Sequence, residues 1–485
     1  MKRIIIFTVF MLCLLAGTVN ATEYIVEINK DIFETGIDNA ELFEKMNAPD
    51  KFLYVTEELD TVKQLEEQGM VVYYEENIQI NIIDDAVYED ENIPVMLSSL
   101  YDEFDVSKAS YATFTNNLIA RDIPKGEYTV RVGIIDSGIA VNDASGNLRE
   151  DFGNVVAGKS FVDAKPFYDT TNHGTPCAGL IGGKFSGIAP DCEMISLKAF
   201  SSSSGSLDDV TNAIYAAVDD YGCKVINISA SAPAFTTTFK EAVEHAIKNN
   251  VIVVAAVGNN GNTTSANTYP ANFSGVIGVG SVSAKGVHSY FSRVNSTVDA
   301  CAIGENVYTT FSTDYSSNKY AYTQGTSFSA PQISGLAALL CSYDIDMTPD
   351  EFVEILEATA FDPGESGYDT TYGHGIIDVK EAVEFLLKKP QIYSSRIFKS
   401  GDNLNYKVYN NTIGSKTITV IKANYNESGS VMNYESVVVK LPSQTATPIS
   451  DAISCDFTND EYFRVMVWRS FKNMIPLYKA REYTE

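Results

Sequence analysis

Basic residues are scarce in this chain. Lys and Arg number 35 against 63 Asp and Glu, a formal charge of -28 with a pI near 4.5. So acidic a surface repels phosphates, which argues against nucleic acid or an anionic membrane as partner. Long apolar runs are just as scarce. The run Ile4–Gly17 follows Lys2 and Arg3 and precedes the small residues Val19-Asn20-Ala21, so residues 1–21 read as a cleaved export signal. No other stretch is apolar for long enough to span a bilayer. Of seven cysteines, six follow Ala21, and none forms a Cys-x-x-Cys pair or a Cys/His cluster of zinc spacing. An exported chain permits disulfides, but these cysteines sit in apolar or strand-like contexts where a buried free thiol is the simpler state. Cys192 and Cys223, each opening a strand-like run, are the pair to suspect if any bridge exists. Internal repeats are absent, and low complexity is confined to Ser201–Ser206. There are only four histidines, so a catalytic base can be sought by elimination.

What is present divides into about three modules, as the length suggests. Residues 22–83 read as strands at Tyr24–Ile28, Phe52–Val55, Val71–Tyr74 and Ile78–Ile82 with helices at Asn39–Met46 and Leu59–Gln68, a small α+β unit. Between Thr22 and Pro94, 20 acidic residues face 4 basic ones. The stretch Asp84–Phe104 lacks a clear period and reads as an exposed connector. From Tyr128 short β-branched runs alternate with amphipathic helices. The runs are Val130–Asp136, Met194–Lys198, Val225–Ser229, Val251–Val257 and Val276–Val282, and the helices are Val210–Tyr221 and Phe239–Asn249. That texture predicts an α/β unit, a parallel sheet covered on both faces, with functional residues at the carboxyl ends of its strands. After Pro390 alternating strands at Tyr406–Tyr409, Lys416–Ala423, Met432–Lys440 and Tyr462–Trp468 predict a small C-terminal β-sandwich.

Within the α/β unit three short motifs carry chemistry. Gly325-Thr326-Ser327 runs straight into an apolar helix, Ile333–Leu340, placing a hydroxyl near a helix N-terminus that favours developing negative charge. A serine hydroxyl needs a neighbouring base. His245 lies mid-helix, His288 in an alternating segment and His374 in a glycine-flanked turn. His173 differs, because Gly174, Ala178 and Gly179 let its helix pack closely. Asp136 ends a buried strand, where a carboxylate is costly unless an imidazole N–H or a similar donor meets it. Taken alone, Asp136 would read as a turn-capping residue; the three motifs together do not.

These motifs, Val132-Gly133-Ile134-Ile135-Asp136-Ser137-Gly138, His173-Gly174-Thr175 with Ala178-Gly179, and Gly325-Thr326-Ser327 with Ala330-Pro331, resemble the signatures of the subtilisin-like serine proteases, in that family's order of Asp, His, Ser. The resemblance covers roughly residues 105–388. It implies a catalytic triad of Asp136, His173 and Ser327 and, from Val254–Gly261, an oxyanion donor in Asn259. Substrate-binding segments are implied at Ser204-Gly205-Ser206 and Ser229-Ala230-Ser231, with Asn260, Thr268 and Tyr269 near the S1 pocket and Leu207 and Val210 near S4. Ser231 and Thr268 stand where the family often has glycine, which predicts a narrower, more polar pocket. The loop Gly182–Gly187 lacks the Asn-containing segment that holds calcium in many subtilisins, so no metal or other cofactor is expected. Cys177 beside His173 predicts sensitivity to thiol reagents.

Residues 22–83 resemble the family's inhibitory prodomain, whose tail, Asn77–Ile83, would enter the cleft. The division expected is a signal peptide (1–21), a prodomain with connector (22–95), a catalytic domain (96–388) and the β-sandwich (389–485). The expectation is a secreted, monomeric endopeptidase that acts on peptides or proteins and frees itself of its own prodomain. A narrow processing protease and a catalytically silent binding protein stay open as alternatives.

Overall fold

The computed structural model describes residues 22–28, 44–46, 48, 51–82, 87–88, 123, 125–142, 149–261, 267–312, 320–364, 367–387 and the C-terminal strands given below. The export signal and Cys455 lie outside the described residues, as does the connector apart from residues 87–88.

In the first module β1 (Tyr24–Ile28), β2 (Glu44–Lys45), β3 (Leu53–Thr56) and β4 (Val71–Glu76) form an antiparallel sheet of order β2-β3-β1-β4, with α1 (Leu59–Glu67) following β3. One sheet face packs Val26, Ile28 and Tyr54 on Val62 of α1. From the other face, Ile25, Met46 and Leu53 join the large core of the next module. The helix expected to reach Met46 is not found at its end: Glu44 and Lys45 pair with Val55 and Tyr54 as a strand. Ladder bonds to β3 override the helical propensity of that Glu-Lys pair. Neither β5 (Gln79–Ile82), part of the tail expected to enter the cleft, nor β6 (Val87–Tyr88), which was not expected as a strand, belongs to this sheet.

The α/β unit is built on a seven-stranded sheet, all parallel, of order β15-β14-β13-β11-β7-β9-β8. Its strands are β7 (Arg131–Asp136), β8 (Val155–Ser160), β9 (Glu193–Lys198), β11 (Val225–Ile228), β13 (Ile252–Ala256), β14 (Val276–Val282) and β15 (Ala300–Ile303). β8 and β15, the two edges, were not foreseen. The central runs do not alternate because both faces are buried. Along β13, Val253 and Ala255 face one core while Ile252, Val254 and Ala256 face the other. The helices are α2 (Gly174–Gly182), α3 (Leu207–Tyr215, continued by a π-helical turn, Ala216–Asp220), α4 (Thr237–Lys248), α5 (Thr326–Tyr343), α6 (Pro349–Thr359) and α7 (Val379–Leu387). Phe239 and Val210 place α4 and α3 on the first face, whereas Ile333, Phe352 and Val379 place α5, α6 and α7 on the second. All five described cysteines, Cys192 and Cys223 among them, are buried free thiols.

Beyond the sheet's carboxyl ends β5 lies between β10 (Ser204–Ser206) and β12 (Ala230–Ser231), antiparallel to both. A hairpin of β16 (Val307–Thr310) and β17 (Tyr320–Thr323) takes β6 on the outer edge of β17. Residues 87–88 are therefore a strand, where the sequence suggested only connector.

The C-terminal residues form two antiparallel four-stranded sheets. In the first, β20 (Asn403–Asn410) pairs with β18 (Ile392–Ser394), β19 (Phe398–Ser400) and β23 (Thr445–Ala452). The second has β21 (Lys416–Tyr425) and β24 (Tyr462–Trp468) at its centre, flanked by β22 (Val431–Leu441) and β25 (Arg481–Thr484).

Candidate active site

Asp136 is the last residue of β7 and is buried. Its two carboxylate oxygens lie 2.8 and 3.0 Å from Nδ1 of His173, which immediately precedes α2 and is also buried. A carboxylate in such a place needs donors, and the Ser137 backbone N–H supplies another at 2.7 Å. Gly174 permits the approach of α2, since a Cβ there would fall on the Gly138 carbonyl and the Asp136 side chain. On its far side the imidazole packs against the Phe328 ring, with centroids 5.6 Å apart.

Ser327 is the second residue of α5, entered through Gly325 at φ 144°, a conformation open to glycine. Its backbone N–H is among the first-turn donors without an intrahelical acceptor. Its carbonyl is released from the helix too, because Pro331, four residues on, has no N–H to give. Ser229 Oγ takes up that carbonyl at 2.9 Å, joined by Cys177 Sγ at 3.5 Å. The hydroxyl of Ser327 in turn donates to the Ser229 carbonyl at 3.4 Å. One missing helical bond thus ties α5 to the segment after β11 and to α2.

Asn259 follows β13, and its Oδ1 accepts from both the backbone N–H and the hydroxyl of Thr326, each at 2.9 Å. With Oδ1 committed, the side-chain NH2 occupies the opposite edge of the amide. Thr326 also receives the Gly258 N–H at 3.2 Å, which fixes this loop against α5.

Three residues of this network carried no chemistry in the sequence reading: Asp169, Ser137 and Thr326. Asp169 is wholly buried and gathers the Ser137 hydroxyl (2.7 Å) and the backbone N–H groups of Asn172 (2.9 Å) and Thr175 (2.8 Å). Burial pushes its carboxyl above the usual range, with the Asp136 charge adding to the push. Ser137 passes the support on by receiving the Gly174 N–H at 3.1 Å. The signal available was Asp169-x-x-Asn172-His173, a side chain able to collect N–H groups of the turn that follows it.

Of the residues expected to bind substrate, Ser204, Gly205, Ala230 and Ser231 pair with β5. Asn81 is paired with both Ser204 and Ser231, Ile80 with Gly205, and Ile82 with Ala230. Ile80 is buried in the same cluster as Leu207 and Val210. Asn260 is exposed next to Asn259. Thr268 is buried and its hydroxyl donates to the Val257 carbonyl at 2.9 Å, so that polarity is engaged within the protein. Among the described residues, the group of three able to hold a metal is Asp136, His173 and Cys177, whose donor atoms lie within 4.8 Å of one another. A cation there would have to break the Asp136–His173 bond. No helix among the described residues is long and apolar enough to cross a membrane.

Residues 128–375 match the model of the subtilase family. Subtilisin DY of Bacillus licheniformis is 36% identical over 264 residues, 53% of this chain and 91% of that protein. The minor extracellular protease Epr of Bacillus subtilis is 27% identical over 381 residues, 76% of this chain and 55% of Epr. A solved protease from Pseudoalteromonas arctica PAMC 21717 aligns with a TM-score of 0.50 at 26% identity, covering 58% of this chain and 98% of that one. The α/β fold, the ordered motifs and these similarities agree: the chain belongs to the subtilase family and is a subtilisin-like serine endopeptidase.

Proposed function

We propose that Ser327, His173 and Asp136 cut peptide bonds through an acyl-enzyme, and that the chain releases itself from its own N-terminal module. The buried Asp136–His173 hydrogen bond at the carboxyl ends of the sheet carries this reading. Ser327 Oγ attacks the carbonyl carbon of the bond to be cut while His173 takes its proton. His173 then returns that proton to the leaving amine, and water repeats the sequence to free the acyl group. Asp136 holds the imidazole and balances its positive charge. The Asn259 amide and the Ser327 backbone N–H receive the charge that develops on the carbonyl oxygen.

The placement of β5 supports self-release. An extended segment of the chain already lies between β10 and β12, as a substrate backbone would, and the four residues after Ile82 lead to β6 on β17. The bond cut therefore falls between Ile82 and Val87. Residues 22–95 then act as prodomain and connector, 96–388 as the catalytic domain and 389–485 as a β-sandwich. The mature enzyme acts as an extracellular monomer on peptides or proteins and needs no metal. Export after residue 21 precedes self-cleavage.

Ser327→Ala tests the reading. Mass spectrometry should find wild-type protein beginning after Ile82 and the variant beginning near Thr22. A serine-directed fluorophosphonate should label only the wild type. Identical N-termini together with no labelling would favour a silent binding protein; labelling without self-cleavage would mean that another protease matures it.

A further inference from the structure

β17 runs directly into Gly325 and the helix that carries Ser327, and its outer edge holds Val87 opposite Thr323 and Tyr88 opposite Tyr322. β5 occupies β10 and β12 on the amino side of the bond to be cut, so β6 marks where the carboxyl side goes. Directly paired residues of antiparallel strands share a face. Tyr308 is paired with Tyr322, and Tyr320 is two residues away on the same strand, so all three point to the side on which position 88 stands.

Their rings form one surface. Tyr308 and Tyr322 have centroids 4.8 Å apart, and Tyr308 stacks on Tyr320 at 5.8 Å. Phe185 meets Tyr320 edge-on at 6.4 Å. The surface is anchored from below, as the Tyr320 hydroxyl donates to both oxygens of Asp151 at 2.8 and 2.7 Å, and the buried Arg149 backs that carboxylate at 3.7 Å. Yet Tyr308 is 38% and Phe185 44% exposed, a large aromatic investment that the core does not use. Burial raises the hydroxyls of Tyr308 and Tyr322, so both stay neutral.

We propose that this tyrosine face is a second specificity surface, on which a substrate continues past the cut bond as a strand added to β17 and presents a large aromatic or apolar residue opposite Tyr322. The proposal rests on Ser327 being the nucleophile, since that fixes which side of the cleft is the carboxyl side. Strand addition supplies affinity independent of sequence, and the facing side chains supply selection. Rings already held in place lose little freedom when a partner arrives.

The test uses internally quenched peptides that carry Gln79–Ile82 before the cut and differ only at the position equivalent to Tyr88, with Tyr, Leu or Ser there. A chromogenic peptide that ends at the cut bond serves as control. Wild-type enzyme should favour Tyr over Ser by about three- to ten-fold in kcat/KM, the range expected of one to two cross-strand aromatic pairs. Tyr322→Ser and Tyr308→Ser should erase that preference and leave the chromogenic rate unchanged, whereas Tyr322→Phe should keep it. Equal cleavage of the Tyr and Ser peptides by wild type, or a preference that survives Tyr322→Ser, overturns the proposal. Anisotropy of a labelled carboxyl-side peptide separates the two readings. Binding that prefers Tyr to Ser in protein that hydrolyses nothing would uphold this surface and sink the nucleophile assignment alone.

Discussion

Asn259 illustrates how a single side chain is made ready before any substrate arrives. Two donors from Thr326 clamp Oδ1, so the amide cannot flip without losing both bonds, each worth about 0.5–1.5 kcal/mol. A donor fixed in this way costs no reorganisation during reaction, which is the source of oxyanion stabilisation. Asn259→Ala should therefore lower kcat by about 10²–10³ with KM nearly unchanged, a magnitude borrowed from the equivalent loss in subtilisin. Steady-state kinetics on a small peptide decide it; a rise in KM alone would remove Asn259 from the oxyanion role. At this scale the sequence was legible where chemistry is local. Asp136, His173 and Ser327 each sit in a short motif that states its backbone setting. Asp169 and Thr326 were not legible, because their roles reside in hydrogen bonds to residues brought near by the fold. The Ser229–Ser327 carbonyl bond was hidden in the same way, although Pro331 announced that some carbonyl would need a partner.

Among elements, the turn after α2 bears on metal dependence. Gly183 N–H returns to the Gly179 carbonyl at 3.1 Å, Ser186 Oγ donates to the same carbonyl at 2.9 Å, and Gly187 N–H reaches the Gly183 carbonyl at 2.8 Å. These carbonyl oxygens already accept hydrogen bonds from within the turn, whereas calcium requires six to eight oxygen ligands. EDTA should accordingly leave activity and melting temperature within a few per cent of the untreated enzyme; rapid inactivation would reveal a calcium site elsewhere. Elements were legible in proportion to how local their cause is. β13, buried along its whole length, appears in the sequence as an unbroken apolar run. The edge strand β8, Val-Val-Ala-Gly-Lys-Ser, is only partly buried and shows no such run. β6 is two residues long and exists through its pairing with β17, while β2 follows β3 against its own propensity. No window of sequence contains either cause.

At the scale of the whole molecule, the first module is held against the α/β unit by polar contacts, one of which lies beside a carboxyl with a raised pKa. Glu75 accepts the Thr237 and Thr238 N–H groups at the start of α4 (2.8 and 2.7 Å), and Lys51 bridges Glu27 and Glu241 (2.9 and 2.6 Å). A third contact is less settled. Asn77 Nδ2 donates to Glu23 at 2.8 Å and to Asp208 at 2.7 Å, so two carboxylates converge on one amide. Beside them Asp209, which accepts the Ser206 hydroxyl at 2.7 Å, is pushed up to about 7 by burial, then by the Asp208 charge, with Glu23 adding to it. On the proposed release of the module Glu23 leaves with it, which lowers the Asp209 pKa from about 7, while the Asp208 charge on the same helix stays. The assembled form therefore binds the proton more tightly. Its hold weakens as pH rises toward about 7 and stops weakening above it. Self-cleaved protein transferred from pH 5 to pH 8 should accordingly release residues 22–83 faster, read as a shorter lag before peptide hydrolysis and as loss of the fragment in size exclusion. Asp209→Asn keeps the hydrogen-bonding shape and removes the charge, so it should lengthen the lag at pH 8 and leave pH 5 unchanged. A lag that shortens equally in Asp209→Asn would overturn the assignment of the pH response to Asp209.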